Sequence, residues 1–95
     1  MAIIDVVTFR TRDGVPETDF LAADQAVQTT VVPFLAGFIR RTTARAADGS
    51  WAVVELWADE ATADAARAAA DEAATRFASL IDAASIERQR FTTLD

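Results

Sequence analysis

Apolar positions alternate or cluster in four short segments and recur at helical spacing in two longer ones, which predicts the element order β-α-β-β-α-β. Residues 3–10 are rich in β-branched side chains and phenylalanine, and Asp13-Gly14 within TRDGV then punctuates the chain as a loop. Pro16 suits the first turn of a helix and Glu17 and Asp19 complement its N-terminal dipole. Phe20, Ala23, Val27, Val31 and Phe34 then recur at three- and four-residue spacing. Pro33 cannot donate a helical hydrogen bond, so this helix is expected to kink or unravel near Val32, with Gly37 restarting the chain into a second strand over residues 38–46. Ala47-Asp48-Gly49 is turn chemistry and predicts a hairpin to a third strand over residues 51–58. Asp59 is placed to cap a second helix that starts near Glu60, and alanines fill it as far as Ala74. Phe77, Leu80 and Ile81 supply its later anchors after a break near Asp71, and Asp82 marks the stop. Residues 85–93, SIERQRFTT, read as a polar fourth strand.

This order in a single domain, residues 1–95, predicts an α+β fold of the ferredoxin-like type, an antiparallel four-stranded sheet with both helices on one face. In the third strand Trp51, Val53, Glu55 and Trp57 alternate with Ala52, Val54 and Leu56. The small and aliphatic set reads as the side packed on the protein's own helices, which leaves the two tryptophans on a bare face. Two indoles in water would form an exposed apolar patch. That face is therefore expected to close on a second protomer by two-fold symmetry, with a partly polar cavity between the sheets. A three-residue hairpin loop places Ala46 opposite Ser50 and Arg41 opposite Glu55, on the Trp57 side. Such a pair would be structural, and replacing Glu55 alone is expected to lower stability.

Composition narrows the partners. At 95 residues a lone core is marginal, and much of the 52% hydrophobic content is alanine, which buries little area per residue. Association would help. The net charge of −6 disfavours nucleic acid and anionic membrane surfaces. Absence of cysteine removes thiolate chemistry and disulfides, and MAIIDVVTFR shows no basic leader, so a cytoplasmic protein is expected. No histidine is present, and the helix-two carboxylates Asp59, Glu60, Asp64, Asp71 and Glu72 read as a solvated face, so neither a metal nor a cofactor is expected. Gly14, Gly37 and Gly49 are isolated and form no phosphate-cradling motif.

PFLAGFIRRTTARAADGSWAVVELWADEATADAA followed by FASLIDAASIERQRF resembles small proteins related to the antibiotic-biosynthesis monooxygenases, within the dimeric α+β barrel superfamily. The Gly-Phe start of strand two, the Asp-Gly hairpin and the Trp-x-x-x-x-Ala junction fall in register with that family, and the resemblance covers nearly the whole chain. It implies a homodimer that binds a small aromatic or apolar molecule in a cavity between sheet and helices, and a cofactor-independent monooxygenase activity. The rival is a non-catalytic ligand-binding or interaction module. Trp57 resembles the tryptophan that such oxygenases place in the cavity, and Val53 stands where the family pattern has an amide side chain. Haem degradation, also found in the superfamily, lacks a histidine ligand here. On the residues themselves, Asp5 and Glu55 are carboxylates able to act as a general base or to be ion-paired, and with Trp57 they are the candidate catalytic residues. Trp51, Val53, Arg41 and Phe9 are the candidate ligand-binding residues. Arginines in a cavity, among Arg40, Arg41, Arg88 and Arg90, would suit an anionic or phenolate-like ligand.

Overall fold

The computed structural model describes residues 1–69 and 71–95. The strands are β1 (Ile3–Phe9), β2 (Phe38–Arg45), β3 (Trp51–Trp57) and β4 (Glu87–Thr92), and the helices are α1 (Glu17–Thr30), α2 (Glu60–Ala68) and α3 (Glu72–Ser79). They form one sheet of order β2-β3-β1-β4 with every neighbouring pair antiparallel, which is the ferredoxin-like α+β arrangement.

Local chemistry explains the boundaries. α1 begins after Pro16 and carries Glu17 and Asp19 in its first turn. It gives way to a 3-10 turn, Val32–Phe34, that holds Pro33. Phe34, expected to continue the apolar stripe, is instead exposed because that turn has left the helical register. Asp59 and Thr62 form a reciprocal capping box that starts α2, and Asp71 accepts from Ala73 N–H at 2.8 Å to start α3. The alanine segment to Ala74 is thus interrupted at the expected break near Asp71 and forms two helices; Ala70, which that segment spans, lies outside the described residues. Residues 83–85, partly assigned above to the fourth strand, form a 3-10 turn, because Asp82 accepts from Ala84 N–H and Ser85 Oγ accepts from Arg10 N–H at 2.8 Å. The β2–β3 hairpin has the expected loop: Ala46 N–H donates to Ser50 O at 2.8 Å, Gly49 sits at φ 88°, and Asp48 accepts from Ser50 N–H. Arg41 is paired with Glu55, as the loop length predicts.

The faces of the sheet are the reverse of the expectation. Trp51, Val53 and Trp57 are buried beneath the helices, whereas Val54 is exposed. Trp51 stacks on Phe20 of α1 at 4.5 Å between ring centroids, and Phe20 in turn meets Phe9 and Phe77. Trp57 packs on Ile3, Phe38 and Ala63. The reason is volume: alanine-rich helices project little toward the sheet, so the large indoles must fill the layer between them. Both faces of β3 are apolar, and alternation alone cannot rank them. The uncovered face carries Ile4, Val54, Leu56 and Phe91, with Leu56, Ile4 and Phe91 in one cross-strand row. The inference of a second protomer from bare tryptophans therefore falls, as does the cavity between two tryptophan-bearing sheets. No helix among the described residues is long and apolar enough to cross a membrane.

Candidate functional site

Where the helical alanines fail to fill the layer, two adjoining pockets remain between sheet and helices, each of about 210 Å³. Asp5, Trp57, Ala63, Arg67 and Val31 are among the walls of the first. Phe9, Arg41, Val53, Phe77 and Ile81 line the second. Val7, Val27, Glu55, Ala74 and Arg88 belong to both, so the two are lobes of one site. Trp51, a candidate for ligand contact, instead lies in the aromatic core under the Arg45 guanidinium.

A charged row crosses this apolar layer. Strand registers align Arg41 with Glu55, Glu55 with Asp5, and Asp5 with Arg90, so all four strands contribute one ionisable residue on the helix side. The two inner carboxylates are directly opposite each other, and the outer arginines treat them differently. Arg90 grips Asp5 in a two-pronged bond, Nε to Oδ1 at 2.7 Å and Nη2 to Oδ2 at 3.0 Å, and its Nη1 donates to Asp64 at 2.8 Å. These contacts push the Arg90 pKa above its ordinary value, the Asp5 hydrogen bonds most of all. Asp5 is buried and well satisfied, with Arg67 a further 3.7 Å neighbour.

Glu55 is less well served. Arg41 approaches it only to 3.5 Å, while the same guanidinium lies 2.9 Å from Asp24 and 3.3 Å from Gln28 on α1 and rests over the Phe77 ring. Burial pushes the Glu55 pKa up; Arg41 opposes this, and the nearby Asp5 charge adds to it. The result is a carboxyl group at the junction of both lobes that gives up its proton less readily than an ordinary glutamic acid.

The structure thus brings Asp5, Glu55, Trp57, Val53, Arg41 and Phe9 to one cavity. Sequence reasoning missed Asp24, whose signal was its place between Phe20 and Val27 on the buried side of α1, and Arg67, a lone cation in an alanine run. Of the other candidate arginines, Arg40 faces the open side of the sheet and Arg88 the cavity.

Fold and cavity together define a ferredoxin-like α+β protein with the architecture of the antibiotic-biosynthesis-monooxygenase-like proteins. SnoaB from Streptomyces nogalater, described as a cofactor-independent oxygenase, superposes with a TM-score of 0.79 at 23% identity, over 99% of this chain and 94% of that one. A protein from Bordetella bronchiseptica provisionally designated an antibiotic biosynthesis monooxygenase gives 0.81 at 15% identity, over 98% and 97%. One from Caulobacter crescentus with the same provisional designation gives 0.81 at 15%, over 99% and 91%. No protein-family model matches the chain and no curated protein matches it in sequence. At such identities the likeness establishes the fold, and the chemistry must be argued from the side chains.

Proposed function

We propose that the protein binds a small aromatic or apolar molecule in the two-lobed cavity between sheet and helices. The carrying observation is the cavity itself, walled by valines, alanines and aromatic rings, with a single incompletely paired carboxyl group, Glu55, where its lobes meet. Trp57 shapes the first lobe, and Phe9 and Val53 shape the second. Glu55 is the residue best placed to take a proton from an activated carbon or phenol, because its raised pKa makes it a stronger base than an ordinary carboxylate. Asp5 is held by Arg90 and orders the row rather than acting on a ligand.

The shared fold with SnoaB supports extending this reading to oxygenation without a cofactor. Such a reaction needs donors for the negative charge that develops on oxygen. Val53 offers none and Arg41 is occupied by Asp24 and Gln28, which leaves the Trp57 indole N–H inside the cavity and the exposed guanidinium groups of Arg67 and Arg88 at its rim, where water competes for them. Oxygen turnover is accordingly expected to be slow or absent. The Asp5–Arg90 pair favours a second reading, a ligand-binding or interaction module without turnover, since it removes the other carboxylate from service. In either reading the protein works as a cytoplasmic homodimer, closed across the open-face row of Leu56, Ile4 and Phe91.

NMR titration with aromatic fragments, paired with an oxygen electrode and anthrone- or hydroquinone-like compounds, is the test. Shifts at Val7, Val53 and Trp57 are expected; shifts confined to the open face would reject the cavity. Rapid oxygen uptake that is lost in Trp57→Phe would establish the oxygenase and reject the module.

A further inference from the structure

The ionisable side chains lining the two lobes are two carboxylates, Asp5 and Glu55, and three arginines, Arg41, Arg67 and Arg88. The wall therefore carries an excess of one positive charge inside a molecule whose formal net charge is −6. Two of the arginines already have partners: Arg41 is held by Asp24 and Glu55, and Arg67 lies near Asp5. Arg88 differs. It stands opposite Val7 on the helix side of β4, lines both lobes, and forms no ion pair among the described residues.

Building on the cavity reading above, we infer that the ligand is an aromatic acid bearing one carboxylate, and that Arg88 receives that group while the ring enters the apolar lobes. A guanidinium presents a planar fork that matches the two oxygens of a carboxylate, and charge-assisted bonds of this kind are stronger than neutral ones. A single negative charge balances the wall, whereas a dianion such as a phosphate monoester would overshoot it and meet Glu55. The apolar surroundings, Val7, Val27 and Phe77, suit a ring rather than a polar chain. Arg88 is thereby a specificity-determining residue, and Glu55, on the same boundary, is the group that an acidic ligand must approach with its charge turned away.

Calorimetric titration of the whole chain with 2-naphthoate and its neutral isostere 2-naphthamide tests this. The acid is expected to bind the native protein roughly tenfold or more tighter than the amide, the span of one charged hydrogen-bonded contact. In Arg88→Gln, an exposed position whose fold is checked by circular dichroism, the two ligands should bind within about threefold of each other. Arg76→Gln on the outside of α3 makes the same charge change away from the cavity and should keep the preference for the acid. Glu55→Gln should tighten the acid more than the amide. Equal binding of acid and amide to the native protein overturns the inference and leaves the cavity reading standing. A preference for the acid that survives in Arg88→Gln overturns it as well, and failure of both ligands to bind refutes the cavity reading together with the inference.

Discussion

Glu55→Gln is the substitution on which the electrostatic reading turns. A pair of opposite charges 3.5 Å apart, as Arg41 and Glu55 are, attracts by about 5 kcal/mol gross at an effective dielectric of about 20. Taken alone, that figure says that losing Glu55 should be costly, which is also what strand register implies. Two observations reverse it. Arg41 keeps Asp24 at 2.9 Å and Gln28 at 3.3 Å in the variant, so no cation is stranded. Burial raises the Glu55 pKa in spite of Arg41, which means that the ionised form is less favourable in the fold than in water. A neutral glutamine of the same shape removes that penalty, so stability at neutral pH should change by no more than about 1 kcal/mol and in the stabilising direction. For a chain of this size about 1 kcal/mol corresponds to roughly 4–8 °C in Tm. The pH dependence carries a sign. A carboxyl whose folded pKa lies above its ordinary value of 4.5 contributes fully below that value and loses its contribution as pH rises through the folded pKa. The native protein should therefore fall behind the variant as pH rises from about 4 to about 8, and match it at the acid end. Urea unfolding of both proteins across that range is the assay, with Arg41→Met as the contrast, since it leaves Asp24 with only the Thr43 hydroxyl and Glu55 with no cation in contact and should cost about 3–5 kcal/mol. A loss of more than about 2 kcal/mol in Glu55→Gln at neutral pH would refute the argument, because Glu55 would then be the principal partner of Arg41 and no free base.

Three further outcomes are expected. Arg90→Met should destabilise by about 2–4 kcal/mol in chemical denaturation, because it leaves buried Asp5 with only the distant Arg67; a loss below about 1 kcal/mol would show that water already serves Asp5. Gly37→Ala should cost about 2–3 kcal/mol, since the residue sits at φ 78° and an added Cβ would run into the Thr62 side chain of the α2 capping box; a Tm within error of the native value would contradict that geometry. Light scattering at micromolar concentration should give a dimer mass for the native chain and a folded monomer for Leu56→Arg, and a native monomer would reject the open-face dimer.

Element order was legible in the sequence because its punctuation is local. Asp48, Asp59 and Asp71 each accept a hydrogen bond from a residue two or three positions away, and Pro33 acts through the donor it lacks, so their effects survive whatever the tertiary context. The Arg41–Glu55 register was readable for the same reason: a hairpin loop of known length sets the pairing on both of its strands. The orientation of the sheet was not, since strand β3 offers two apolar faces and only the volume of the opposing helices decides between them.

That reversal also changes what the charged row means for function. Were the tryptophan side open to a second protomer, Arg41, Glu55, Asp5 and Arg90 would lie at an interface where solvent and partner charges could neutralise them, and none would be tuned. Under the helices the same four residues share one largely buried layer, and each outer arginine gains a partner from a helix the sequence does not point to: Asp24 of α1 for Arg41, Asp64 of α2 for Arg90. Each outer arginine is drawn outward by its helical acid. At Arg90 the bidentate fork still reaches Asp5, but Arg41 lies closer to Asp24 than to Glu55, so it only partly offsets the burial that raises the Glu55 pKa on the boundary of both lobes. The asymmetry between two carboxylates that sit opposite each other in the sheet thus combines burial with the partners that each outer arginine has, and it is this asymmetry on which the proposal of Glu55 rather than Asp5 as the base rests.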